Sequence, residues 1–277
     1  MQRMVKYFLF SAAVLFSGAQ IPPPENNLIN KLGKTIETRF LLPDGFQRLP
    51  ADKNSFAYYL RNLELKPDGS KVRYYNGDEK TKNVYDAVIN LPIGNKDLHQ
   101  CADAVMRLRA EYLYSQKEYE KIHFNLTNGF NCEYKKWMKG KRVKVQGNNT
   151  SWYDIGKPSN DEKTFWKYLE FVFSYAGSLS LSKELIKSDV KDLKEGDVFI
   201  RGGSPGHAVI VVDMAENKKT GEKIFLLAQS YMPAQETQIL KNLNDDKLSP
   251  WYNTKFGEEL QTPEWDFRKD ELMKFPE

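Results

Sequence analysis

Three side chains far apart along the chain, Cys101, His207 and Gln229, are of the types that together perform nucleophilic chemistry. A thiol attacks a carbonyl carbon as thiolate, an imidazole can take and return its proton near neutrality, and a carboxamide can hold that imidazole in one tautomer. A cysteine in the first turn of a helix gains more. The amide N–H groups there, with a nearby imidazolium, lower the thiol pKa towards ambient pH. The roles expected are Cys101 as nucleophile, His207 as proton shuttle and Gln229 as the group that orients the ring. The backbone N–H groups at the helix start, with Gln100, would stabilise the oxyanion. That set would perform hydrolysis or transfer at an amide bond.

The elements that must position these groups can be read from local signals. Asp97 can cap a helix, Gln100 stands three residues on where a capping-box partner belongs, and Leu98, Cys101, Val105, Leu108 and Tyr112 recur at spacings of three and four. Cys101 is therefore expected in the first turn, on the inward face. Residues 196–200 read as a turn into a strand, 202–206 as a Gly-rich loop, 207–213 as a buried strand, 216–223 as a polar hairpin loop and 224–231 as the next strand. These runs should form an antiparallel meander. A hairpin turning about Lys218 sets His207 directly opposite Gln229, and one turning about Lys219 leaves them diagonal neighbours on the same face. A glutamine in a run as apolar as IFLLA needs a hydrogen-bond partner, and an imidazole supplies one. Elsewhere, Asn54 or Ser55 can cap a short helix through Leu63, residues 84–91 read as a strand, and 161–176 as a helix closed by Gly177.

Composition narrows the class. In 277 residues, 40% hydrophobic and 28% charged, a full-sized core can form, so disorder, collagen and coiled coil are poor readings. Two cysteines cannot build a disulfide scaffold, and no Cys/His pairs stand at zinc-finger spacing. A net charge of +4 dispersed among 37 acidic residues gives no support for nucleic-acid binding. At the N-terminus, Arg3 and Lys6 precede an apolar run from Tyr7 to Phe16 and the small residues Ser17-Gly18-Ala19, which reads as an export signal cut after Ala19. A membrane-anchored N-terminus is the other reading there. With the signal removed no integral span is expected, and the site of action is periplasmic or extracellular. The division expected is 1–19 signal peptide, 20–37 linker, 38–95 N-terminal elaboration and 96–277 the main domain.

Gly196-Asp197-Val198 followed by Gly206-His207-Ala208-Val209-Ile210-Val211 resembles the strand pair of NlpC-type and CHAP-type papain-like amidases, which cleave peptide bonds in bacterial cell walls. Gln100-Cys101-Ala102 opening a helix resembles the nucleophile helix of the CHAP type. QCADAV, GGSPGHAVIVVDMA and AQSYMPAQ are similar to an uncharacterised secreted bacterial family, a domain of unknown function, over most of the mature chain. That closer resemblance carries no activity. The remoter one implies an α+β fold with a papain-like core, an antiparallel sheet, and a cell-wall peptide or glycan as partner. The sequence departs from the NlpC pattern in one respect. The slot shortly before the Gly-Asp strand is filled by residues 165–177, and Phe165 stands where the thiol would be. Either Cys101 belongs to the nucleophile helix, with a long insertion before His207, or the scaffold has lost its nucleophile and binds a wall peptide, glycan or other secreted ligand.

Each candidate has a plainer reading. Cys101 could be a small buried hydrophobe or half of a disulfide with Cys132, His207 a satisfied core histidine, and Gln229 a partner of backbone. His99 is expected to be exposed, off the thiol's face. His123 reads as a strand residue, with a second ring near the cleft as the other possibility. The basic cluster Lys135, Lys136, Lys139, Lys141 and Arg142 reads as a solvated loop. Trp251, Tyr252, Trp265 and Phe267 could line a groove or pack the tail over the core. No metal constellation or phosphate-cradling loop stands out, no cofactor is implied, and the oligomeric state is left open.

Overall fold

The computed structural model describes residues 28–276. The export signal expected at 1–19 and the first part of the linker lie outside the described residues.

The chain begins with α1 (Ile36–Arg39), β1 (Phe46–Arg48), α2 (Phe56–Arg61) and β2 (Tyr85–Val88). Next come α3 (Cys101–Ser115), β3 (His123–Asn125), β4 (Asn131–Glu133), α4 (Tyr134–Met138) and the pair β5 (Lys141–Gln146) and β6 (Asn149–Asp154). After α5 (Glu162–Tyr175) and α6 (Ser178–Glu184) the chain turns to strands: β7 (Ile186–Lys187), β8 (Val198–Arg201), β9 (His207–Asn217), β10 (Lys223–Gln229) and β11 (Gln238–Leu240). The tail adds β12 (Tyr252–Asn253), β13 (Glu259–Gln261), β14 (Asp266–Arg268) and β15 (Leu272–Lys274). The class is α+β with an antiparallel sheet. Its strand order is β2-β11-β10-β9-β8-β15-β7, with β1 beside the far half of β9 and β12 beside β10.

The sheet is covered on both faces, which is why β9 and β10 read as nearly continuous apolar runs. Ala208, Ile210, Val212, Ile224, Leu226 and Ala228 face the helices, and Val209, Val211, Met214, Phe225 and Leu227 face the tail and the 190–193 turn. α3 lies over β9 on the helix side, with Ala102, Val105 and Met106 in that core. The expected meander β8-β9-β10 is present, and β2 occupies the centre of the strand expected at 84–91.

The described part of the N-terminal region shares this core. Ile36 and Leu60 are fully buried in the helix-side cluster, β1 pairs with β9, and β2 pairs with β11. The boundary expected at residue 37 falls inside α1, so folded chain starts before it. No helix among the described residues is long and apolar enough to cross a membrane.

Two local signals are corrected. The N-cap of α3 is Gln100, not Asp97, because the chain does not turn helical until Cys101. Asp97 instead accepts from the Ala234 N–H at 2.7 Å and the Gln100 side chain at 3.2 Å, tying the helix start to the loop after β10. Gly177 does not close α5 in the left-handed region. It is extended (φ 176°) and caps α6.

Candidate active site

Cys101 is the first residue of α3 and His207 the first of β9, so both stand at the same end of the helix–sheet sandwich. They line one cavity of about 630 Å³, with Gln100, Gly206, Tyr231 and Trp265 in its wall. The amide N–H groups of Ala208, Ala102 and Cys101 itself point at the sulfur, placing the thiol one peptide group from the His207 backbone. Small residues at 102 and 208 permit this approach, because a longer side chain on either would stand between helix and strand.

The His207–Gln229 contact expected from the strands is present. Nε2 of His207 is 2.8 Å from Oε1 of Gln229, and both residues are about 1% exposed. The register that makes it is the diagonal one. From Lys223↔Glu216 to Leu226↔Asp213 the strands pair in one register, and a bulge at Val212 moves them to Leu227↔Val211 and Ala228↔Ile210. Continued, this sets Gln229 level with Val209, two residues from His207. A one-residue slip reverses which face every later side chain takes, so without the bulge His207 would face the helices and Gln229 the tail.

The ring lies on the tail side, with centroids 4.6 Å from Tyr231, 5.6 Å from Trp265 and 5.9 Å from Phe267. Thiol and imidazole therefore reach the cavity from opposite faces of the sheet at the end of β9, and no hydrogen bond joins them. The thiol pKa is corrected from the expectation. Burial and the Asp103 carboxyl two residues on push it up to about 11, against the three N–H groups that pull it down. His207 is pushed down to about 4, chiefly by burial, although Gln229 and Glu264 raise it. At neutral pH the pair is thiol and neutral imidazole.

Behind Gln229 stand two groups that no pattern in the sequence marks. Nε2 of Gln229 donates to Oε2 of Glu264 at 2.8 Å, and the Lys80 ammonium is paired with the same oxygen. Lys80 also donates to Oε1 of Gln235 at 3.0 Å. Both charged residues lie in irregular segments with no periodicity around them. Gln100, expected at the oxyanion, lines the cavity, but its backbone N–H is taken by Asp103 at 3.0 Å and its side-chain amide by Asp97. The donors that face the sulfur are backbone amides.

The other candidates separate. Both cysteines are free; Cys132 is fully buried in β4, with its thiol pushed up to about 12 by burial. His99 is buried, not exposed. It precedes the helix, packs edge-on against Phe173 at 5.9 Å, and burial lowers it to about 3. His123 lies in β3, 3.5 Å from Glu184 and outside the cavity wall. Lys135 pairs with Glu120 and Lys136 with Glu133 at the surface, and Lys141 opens β5. Trp251, Tyr252 and Phe267 are core, and Trp265 alone of the four reaches the cavity. Phe165 stacks on Tyr114 at 4.2 Å, remote from the cleft, and α5 presents only its C-terminal end there. Among the described residues no group of His, Cys, Asp or Glu is placed to hold a metal ion.

No curated protein and no solved structure matches the chain. The family model described as a domain of unknown function (4846) matches residues 36–274, and the chain belongs to that family.

Proposed function

We propose that the protein is an exported cysteine hydrolase with a papain-like core of the NlpC or CHAP kind, cleaving an amide bond in cell-wall peptide. One observation carries the reading: a cysteine at a helix N-terminus and a histidine held by Gln229 at 2.8 Å line the same cavity. The orientation of α5 supports it, since α3, not α5, presents its N-terminus to the cleft.

Because the resting pair is neutral, His207 acts as a general base and not as half of a preformed ion pair. With Nε2 held by Gln229, Nδ1 takes the thiol proton as Sγ bonds to the substrate carbonyl carbon. The C=O electron pair moves to oxygen, which the N–H groups of Cys101 and Ala102 stabilise. Nδ1 then gives the proton to the leaving amine as the C–N bond breaks, leaving a thioester. Water attacks the thioester, its proton going to Nδ1 and then to the departing sulfur, and the acid is released. Catalytic hydrogen bonds are often long in unliganded enzymes and tighten when substrate fills the site.

A second reading is favoured by the thiol. Moving a proton from a thiol at about 11 to an imidazole at about 4 is steeply uphill, which suits a module that holds wall peptide or glycan without cleaving it. Digestion of purified cell wall by residues 20–277, wild type and Cys101→Ala, separates the two by mass analysis of released fragments. Hydrolysis predicts new amine and acid termini that fall roughly 10³-fold or more in the variant. Identical fragment profiles, with both forms retained on the wall, would leave the binding module. Sequencing the N-terminus of the exported protein tests cleavage after Ala19.

A further inference from the structure

A carboxamide beside an imidazole is ambivalent. Turned one way it accepts from Nε2–H, and turned the other it donates to bare Nε2, forcing the ring proton onto Nδ1. His207 alone cannot decide between the two. The atom behind Gln229 can, because the Glu264 carboxylate only accepts and lies 2.8 Å from the amide nitrogen. Lys80, which only donates, is paired with the same Glu264 oxygen, and Lys82 approaches the other at 3.5 Å. Both side chains of the inner pair are nearly inaccessible, Lys80 at 1% and Glu264 at 4%. A buried ion pair is a weak source of stability, since apolar residues of similar volume commonly replace one at no loss. Its place directly behind Gln229 needs another account.

We propose that Glu264, kept in place by Lys80, is a positioning residue that locks the Gln229 amide with its oxygen towards His207, fixing the ring as the Nε2–H tautomer with Nδ1 as the basic nitrogen. Its consequence for turnover rests on the hydrolase reading, but the tautomer does not.

The test is 15N NMR of the histidine rings in the full mature chain at pH 7, where His207 is neutral. Wild type should show His207 as Nε2–H alone. Lys80→Met/Glu264→Leu removes the acceptor-only neighbour while keeping the volume filled, and a share of Nδ1–H should appear. Adding Gln229→Glu to that pair puts an acceptor-only group beside the ring, and the neutral fraction should return to Nε2–H alone. His99 and His123 are internal controls and should keep their signals. Detectable Nδ1–H in wild type overturns the proposal even if the variants do not fold, and so does an unchanged tautomer ratio in a folded double variant. The expected tautomer pattern in a protein that leaves cell wall uncut would remove the hydrolase reading and uphold the positioning role.

Discussion

Cys101 shows how burial can defeat a helix N-terminus. Three amide N–H groups aim at its sulfur, yet loss of water and the Asp103 carboxyl leave the thiol at about 11. Its alkylation by iodoacetamide should therefore climb with pH to a midpoint near 11, and Asp103→Asn should move that midpoint down. A midpoint below the value of free cysteine in wild type would contradict this account of the site. Faster labelling of Cys101 than of Cys132 decides nothing by itself, because Cys132 is fully buried. At this scale the sequence revealed residue types well and environments badly. The thiol, ring and carboxamide were legible because each sits at the start or end of a periodic segment. Glu264 and Lys80 were not, since irregular chain carries no period from which to infer direction. His99 is buried where the sequence predicts exposure, because a helix face read from Asp97 runs one turn too far back and α3 starts only at Cys101.

Between elements, the bulge at Val212 and the loop before β9 determine where His207 points. Alternation does not settle the register here, because both faces of β9 are apolar and buried and a slipped strand would bury similar side chains. The sequence accordingly allowed two registers about adjacent lysines, and the diagonal one occurs through a bulge that no local pattern announces. Gly206 is the second determinant. A Cβ there would come within 2.5 Å of the Gly203 carbonyl oxygen and of the Ser178 hydroxyl, and 2.7 Å from the Arg201 carbonyl oxygen. Two of those three atoms are backbone, so trimming Ser178 does not make room. Gly206→Ala should cost about 1–3 kcal/mol by overpacking and displace His207 from Gln229. Urea unfolding measures the first effect, and the His207 ring shifts measure the second. A variant as stable as wild type with unmoved ring signals would show that the loop tolerates what the geometry forbids.

Across the whole molecule, one sheet joins residues 46–48 to 272–274, so the region expected as an elaboration and the region expected as the domain fold together. Burial of titratable groups then gives this single unit two opposing responses to pH. His99 and His207 are pushed down from 6.5, to about 3 and about 4, so unfolding takes up protons below about 6.5 and their stabilisation is lost as pH falls. Asp86 and Asp197 are pushed up from 3.8 to about 6, so unfolding releases protons between those values and their stabilisation is lost as pH rises. Between pH 4 and 6 the two groups act in opposite directions, and burial pushes Asp103, Glu184, Glu195 and Asp213 the same way as the two aspartates. Removing one imidazole exposes its share. His99→Phe keeps an aromatic ring beside Phe173 and has no proton to bind. Relative to that variant, wild type should lose roughly 1.4 kcal/mol per pH unit between about pH 6 and pH 4, the slope of one proton taken up on unfolding. Urea midpoints for both forms at half-unit intervals measure the difference, whatever constant offset comes from losing the contact of His99 Nδ1 with the Gln235 carbonyl oxygen at 3.3 Å. A difference that stays flat across that window would mean that His99 is charged in the fold, with its Nε2 facing a partner or solvent, not the apolar surroundings of Phe173.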